Sequence, residues 1–445
     1  MKRLWILMLA ALLQACGGGG GGGSSASGTQ ACSVADQRAQ VLQFMTNEYL
    51  WYQQLATPDP NAATMDAYFQ SMLYRPVDRF SYTEPTSAYQ QLFDAGTFTG
   101  YGYTLTVVDP TNAVLRVRSV EPQGPAYGAG LRRGDTIIDI DGFTPAQVLA
   151  GAAGSVGAAG VTRTMHVRDT AGNVKSLQMV SATFPLTTVR EVSVLNSTRN
   201  GVPIKVGYID YTQFVSYSEN DLIAAVSSFA AQGASELVLD LRYNGGGDVA
   251  TARDLASLIA GARVAGQVFA SLRFNDKNQA KNQTILFNAP PTATPNLSRV
   301  VIIASASTAS ASELVINGLK PFMGVVLIGR TTYGKPYGFE PFDYCGTVYN
   351  AVNFESVNAL GVGGYTSGIP PTCPVADDLD HQLGDPNERE LAGALTYIST
   401  GVCPPASQIP QSPQMALQQV PQGSVVRVAP TVLGDVTMPG MFRRR

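Results

Sequence analysis

Val300-Val301-Ile302-Ile303-Ala304-Ser305-Ala306-Ser307-Thr308-Ala309-Ser310-Ala311-Ser312-Glu313 reads as a buried strand, a turn of small residues and the start of a helix. A run of apolar, mostly β-branched residues suits a strand covered on both faces. The small side chains that follow let the backbone turn sharply. Ser310 is therefore expected at or just before a helix N-terminus, where unpaired N–H groups and the helix dipole favour developing negative charge. An acyl-transfer nucleophile belongs there, with the Ala311 N–H as one oxyanion donor. Ser310 and Ser312 could equally be plain helix caps, a role serine fills widely. Around this unit the pattern repeats: strands over 206–214, 236–242 and 325–329, with helices over 219–232 and near 250–258. Strands alternating with helices define an α/β core.

A serine hydroxyl needs a base, and Gly334-Lys335 follows the strand over 325–329 and its turn. Lysine is scarce: the others are Lys2, Lys175, Lys205, Lys277, Lys281 and Lys320. A lysine acts as a base only when desolvation or its neighbours lower its pKa. Tyr333, Tyr337 and Phe339 offer an apolar envelope. A third segment, Asp240-Leu241-Arg242-Tyr243-Asn244-Gly245-Gly246-Gly247, has the glycines that close backbone approach to a substrate carbonyl requires.

Composition removes several other readings. The chain has 445 residues, enough for two or three domains, and its 45% hydrophobic content argues against wholesale disorder. Charged residues are 14%, the net charge is -3, and there is no long basic run, so a nucleic-acid partner is not expected. With only His166 and His381, no multi-histidine metal site can be built from this chain. His166 falls in a strand-like segment and reads as structural. His381 ends the acidic stretch Asp377-Asp378-Leu379-Asp380-His381, which lacks the spacing of a calcium loop. No metal or cofactor is expected.

The N-terminal segment reads as an address. Met1-Lys2-Arg3 and the apolar stretch after it form a signal peptide over 1–15, too short to span a bilayer. Leu13-Gln14-Ala15-Cys16 resembles the lipobox of bacterial lipoproteins, which implies lipid attachment at Cys16. Plain secretion, with Cys16 incidental, is the alternative. Residues 16–30 are Gly/Ser-rich and tether-like. The expected location is the bacterial cell envelope, as a membrane-anchored lipoprotein facing an oxidising space. Cys32, Cys345, Cys373 and Cys403 are then disulfide candidates. Three pairings are possible, and Cys345 with Cys373 and Cys32 with Cys403 is the favoured one; four free thiols is the alternative.

Residues 31–95 read as a helical N-terminal domain, with aromatic-rich packing segments at Tyr49-Leu50-Trp51-Tyr52 and Asp78-Arg79-Phe80-Ser81-Tyr82. Residues 96–185 change to short strands and glycine turns. Gly100-Tyr101-Gly102-Tyr103-Thr104-Leu105, a short segment ending Ala129-Gly130-Leu131, Gly134-Asp135 and Ile140-Asp141-Gly142 together resemble a PDZ domain. The resemblance implies peptide capture by Gly100, Tyr101, Gly102, Tyr103 and Leu105, through loop N–H groups and strand addition. Residues 186–403 hold the α/β core. Residues 404–445 are Pro/Gln-rich and aperiodic, expected to be a disordered tail with at most a local contact.

Ser310-Ala311-Ser312-Glu313, Gly334-Lys335 twenty-five residues on, and the Asp240–Gly247 segment are together similar to the C-terminal processing peptidases, or tail-specific proteases. The resemblance covers about residues 34–400 and implies a multi-domain α/β chain. It would have a helical N-terminal cap, a PDZ-like domain and a crotonase-like serine peptidase core. It implies Ser310 and Lys335 as a catalytic dyad, with the N–H groups of Ala311 and of Gly246 or its neighbour as oxyanion hole. Asp240 and Arg242 brace the loop in this reading, and the partner is a polypeptide captured through its C-terminus or an extended segment. The family carries a glutamine four residues after the lysine; here that residue is Phe339, followed by Glu340. Phe339 can desolvate the lysine but cannot orient it, and Glu340 would hold it charged if it reached it. Two rivals follow: a non-catalytic peptide-binding lipoprotein of the same fold, and an enzyme that uses His381 as base.

Overall fold

A computed structural model describes residues 32–154, 158–405 and 440–442. The expected signal peptide, Cys16 and the tether, and most of the expected tail, lie outside the described residues. Among the described residues no helix is long and apolar enough to cross a membrane.

The N-terminal region has helices α1 (Val34–Glu48), α2 (Met65–Ser71) and α3 (Thr86–Phe93), with strand β1 (Tyr82–Pro85). Ser33 and Thr64 cap α1 and α2 by accepting from Asp36 N and Ala67 N, as their side-chain oxygens allow. The region does not stand alone. Its core of Val41, Met45, Tyr49, Phe69 and Met72 continues into Tyr344, Tyr349, Ala351 and Val352.

A second unit begins with β2 (Thr97–Gly100), which pairs with β8 (Ala182–Pro185) to close its neck. Between them lies an antiparallel sheet in sequence order: β3 (Tyr103–Asp109), β4 (Val114–Val120), β5 (Thr136–Ile140), β6 (Thr162–Arg168) and β7 (Val174–Val180). Short helices α4 (Pro125–Gly128) and α5 (Pro145–Leu149) complete it. The pair runs from Thr97 opposite Pro185 to Gly100 opposite Ala182.

The largest layer is a six-stranded sheet. In chain order the region around it runs β9 (Val189–Arg199), β10 (Val202–Tyr211), α6 (Glu219–Gln232), β11 (Glu236–Asp240), β12 (Gly246–Asp248), α7 (Val249–Ala260), β13 (Val268–Phe274), β14 (Gln283–Leu286), β15 (Arg299–Ala304), α8 (Ala311–Leu319) and β16 (Gly324–Gly329). There follow β17 (Tyr337–Gly338), β18 (Phe342–Tyr344), β19 (Thr347–Asn350), β20 (Phe354–Val357), β21 (Cys373–Pro374), α9 (Arg389–Thr400) and β22 (Gly440–Phe442). The sheet order is β21-β16-β15-β11-β10-β9, parallel except for β9. Alternate residues enter opposite cores. Leu237, Leu239, Val300 and Ile302 face α6, α7 and α8, whereas Val238, Val301 and Ile303 face α9. Cover on both faces explains the unbroken apolar runs.

Two expectations change. The disulfides are Cys32–Cys345 and Cys373–Cys403, with Cα separations of 5.7 and 5.4 Å. The favoured pairing fails because Cys345 lies in the turn between β18 and β19. The hairpin edge β19 pairs with β1, which brings that turn to the N-terminal region. Cys373, on the edge strand β21, meets the chain leaving α9 instead. The second change is at the C-terminus: residues 440–442, expected in a disordered tail, form β22 alongside β12.

Candidate active site

The β15 strand ends at Ala304, α8 starts at Ala311, and Ser310 is the N-cap between them. Ser310 has φ 62° and ψ -112°, a conformation that non-glycine residues rarely adopt and that costs about 1–3 kcal/mol. A web of bonds holds it there. Thr308 Oγ1 donates to Leu241 O at 2.7 Å and Ala309 N to Asn244 O at 3.1 Å. Ser312 Oγ donates to Asn244 O at 3.0 Å, so Ser312 braces the elbow. Ser310 itself is wholly buried, and among the described residues its Oγ has no hydrogen-bond partner. As the first helical residue, Ala311 has no intrahelical acceptor for its N–H.

The glycine loop lies against this elbow. A Cβ at Gly246 would sit 2.8 Å from Ser310 Cβ and 2.9 Å from Ala311 N, so only glycine fits beside the serine. The Gly246 N–H, however, donates to Asn244 Oδ1 at 2.9 Å and is already used. Along β12 the Gly246 carbonyl and the Asp248 N–H both bond to Phe214. Strand alternation turns the intervening Gly247 N–H to the opposite side, towards β22. The Asn244 side chain thus takes the Gly246 N–H and not that of its neighbour Gly247. Asn244 was missed as a site residue: it orders Gly246, Ala309 and Ser312 and anchors to Tyr211 O at 3.0 Å. Its only sequence signal was its place in the Asp240–Gly247 segment.

Arg242 braces this loop as expected. It bonds Asp240, Glu388, Glu390 and Asp377 while almost wholly buried. Asp377, Glu388 and Glu390 are the one group among the described residues whose oxygens could converge on a metal ion. The Arg242 guanidinium already occupies that convergence.

Lys335 is fully buried, and burial pushes its pKa from the usual lysine range down to about 7. The nearby charges of Asp78 and Glu313 oppose that shift, and Arg79 adds to it. Asp78 and Arg79 come from the N-terminal region, where Arg79 donates to the carbonyls of Tyr333, Gly334 and Thr366. Lys335 Nζ lies 4.5 Å from the Phe339 ring centre, a contact that favours the charged amine. Glu340 points elsewhere, to Lys281 at 3.2 Å.

Glu313 joins the two halves. In the first turn of α8 it accepts from Ser310 N at 2.9 Å. Its buried carboxylate also accepts from Lys335 N at 2.8 Å, Gly334 N at 2.7 Å and Thr332 Oγ1 at 2.5 Å. One carboxylate oxygen thus holds the backbones of Ser310 and Lys335 together. His381 instead pairs with Asp378 at 2.8 Å and is half exposed, and His166 pairs with Asp139 across β5 and β6.

The proposed capture loop is less accessible than expected. Gly100, Tyr101, Gly102, Tyr103 and Leu105 are all buried, and Tyr101, Tyr103 and Leu105 belong to the core of their own sheet. The cavity between Gly102–Thr104 and Thr212, Gln213 and Tyr243 is about 40 Å³. That is room for water, not for a peptide terminus.

Fold and site together define an α/β protein with a buried serine on a strand-to-helix elbow beside a glycine loop. A model for Peptidase family S41 matches residues 205–355, and one for the Peptidase S41 N-terminal domain matches residues 36–82. The chain is 27% identical over 292 residues to the chloroplastic C-terminal processing peptidase of Tetradesmus obliquus, covering 62% of this chain and 60% of that one. It is 28% identical over 316 residues to a carboxyl-terminal-processing protease of a Picosynechococcus species, covering 68% and 71%. A solved Bacteroides fragilis structure assigned to the S41 proteases superposes with a TM-score of 0.65 at 28% identity, covering 81% of this chain and 96% of that one. Residues 205–355 thus carry a peptidase family S41 domain, and the chain is similar to C-terminal processing peptidases. It spans less than two thirds of the length of the algal relative.

Proposed function

We propose that this chain is a serine endopeptidase of the C-terminal processing type, anchored in the cell envelope through lipid on Cys16. The observation that carries the reading is a buried lysine, with its pKa near 7, tied through Glu313 to a serine held on a strained elbow. In the reaction, Ser310 Oγ attacks the scissile carbonyl while neutral Lys335 takes its proton. The N–H groups of Ala311 and Gly247 receive the oxyanion. Lys335 then gives the proton to the leaving amine, and water, deprotonated by the same amine, hydrolyses the acyl-enzyme.

The sheet domain over 96–185 is proposed as a PDZ-like unit that gathers a polypeptide segment. Because its loop is buried, capture requires that the domain part from the core. The test is digestion of unfolded casein by residues 30–445, beside Ser310→Ala and Lys335→Ala. Activity in the parent, reduced at least a thousandfold in both variants, supports the dyad. Activity that survives Lys335→Ala removes the lysine from the mechanism. No cleavage by the parent over several unfolded substrates favours a peptide-binding scaffold.

A further inference from the structure

Strand β22 comes from the far end of the chain and lies in the site just described. Gly440, Met441 and Phe442 pair in parallel with Gly246, Gly247 and Asp248. On its other side the segment meets the chain that follows Lys335 and β17, through a parallel bridge between Phe442 and Phe339. Gly440 therefore stands opposite Gly246, whose α-carbon faces Ser310. The tail runs between the glycine loop and the segment after Lys335, which is where a polypeptide must lie to be attacked.

The side chain of Phe442 is equally well placed. It is buried with Leu92, Phe93, Val215 and Phe339, and it packs edge-on to Phe93 at a centroid distance of 4.5 Å. Tyr89 stands 6.1 Å away on the same wall. Three elements build this pocket: α3, the segment after β10, and the strand after Lys335. Phe339 forms a wall of the pocket and is also the ring beneath Lys335 Nζ. A side chain in the pocket and the state of the lysine are thus coupled through one aromatic ring.

We infer that residues Gly440–Phe442 are an intramolecular occupant of the substrate cleft, seated by Phe442 in a pocket selective for an aromatic side chain, so that the resting chain blocks its own site. This rests on the reading of the Ser310 cleft as a peptidase site. Residues 406–439 join the last described core residue to β22, and 34 residues reach about 110 Å when extended, so length is no obstacle. A tethered segment has an effective concentration in the millimolar range, so one that binds in trans with a Kd of only about 0.1 mM fills the cleft about 90% of the time. Apparent kcat/KM then falls about tenfold, because only the unoccupied fraction is competent.

The test uses the full-length mature chain and reads two quantities. Amide hydrogen exchange in the Ser310→Ala background is expected to show protection at residues 441 and 442, lost on adding Phe442→Asp. In the active background, Phe442→Asp is expected to raise kcat/KM on labelled unfolded casein about tenfold, with Phe442→Tyr close to the parent. Exchange at 441 and 442 as fast as in a free peptide overturns the inference. So does an unchanged rate in Phe442→Asp when Ser310→Ala abolishes cleavage, which leaves the peptidase reading intact. Trimming of the parent within 440–442, seen as a mass loss, makes the segment a substrate and overturns it as an occupant. If nothing is cleaved by any variant, the peptidase reading falls and the exchange result alone decides the docking.

Discussion

Lys335 shows how one buried side chain trades stability for chemistry. Its pKa in the fold is near 7, against an ordinary value of about 10.4 in an unfolded chain. Between those values the unfolded chain binds the extra proton, so stability rises with pH across that window and the full cost of burial is present below pH 7. The slope is at most about 1.4 kcal/mol per pH unit. Lys335→Met removes this dependence. Its melting temperature relative to the parent is expected to be highest at pH 6 and to shrink steadily towards pH 10. A constant difference over that range means that Lys335 does not titrate there. In the proposed reaction the same pKa predicts a peptidase rate that rises with pH through about 7 and levels above it, since only a neutral amine accepts a proton.

At the scale of elements, the link between the α8 elbow and the loop before β17 is a single carboxylate. Glu313 takes hydrogen bonds from Ser310, Thr332, Gly334 and Lys335 at once. Glu313→Gln replaces one acceptor oxygen by a donor; with the NH₂ turned to Thr332 and Gly334, the threonine hydroxyl can accept from it but the Gly334 N–H is left unmet. An unmet buried donor costs about 1–3 kcal/mol. The expected outcome is a kcat about a hundredfold lower with a lowered melting temperature, while KM stays within a few fold. A kcat within threefold of the parent means that the elbow and the lysine loop hold their positions without Glu313.

The same elements show what a sequence makes legible. The strand, elbow and helix around Ser310 could be read because each follows from local pattern: an apolar run, small residues, then a capped helix. Asp240–Gly247 was equally plain, down to the bracing of Arg242. What escaped reading depends on contacts between distant segments. Strand β1 pairs with β19 across 260 residues of chain, and no local period announces that. The disulfide partners follow from that pairing, so they escaped too. Gly246 was correctly placed beside the serine, yet which glycine N–H is open depends on the Asn244 side chain and on the pairing with Phe214. Strand β22 lies in a Pro/Gln-rich region with no periodicity, and its partner β12 is far away in the chain.

At the scale of the molecule, the sheet domain is fastened to the core next to the glycine loop. Arg133, between α4 and β5, is buried and reaches across to Tyr243 Oη at 2.7 Å, Asp377 at 2.7 Å and the carbonyls of Asp378 and His381. Its neighbour Gly134 must be glycine, since a Cβ there would lie 2.1 Å from Leu379 O. Arg116 adds a bond to Asp380 at 2.8 Å. Tyr243 directly follows Arg242 in the segment that ends at Gly247, so the domain's position bears on the loop beside Ser310. Capture of a polypeptide by the buried Gly100–Leu105 loop needs this fastening to open. Arg133→Met keeps much of the volume and removes every side-chain bond, leaving Asp377 with Arg242 and the Tyr243 hydroxyl. A loss of about 3 kcal/mol is expected, the lower end for breaking a buried ion pair. Hydrogen exchange should accelerate in Arg118, Tyr243–Gly246 and 377–381, while the interior strand β15 keeps the protection of global unfolding. If exchange rises equally in β15, the arginine stabilises the whole molecule and is not a latch. If only the sheet domain and these loops loosen, the fastening is local, and the same variant should lower KM for long unfolded substrates by exposing the capture loop.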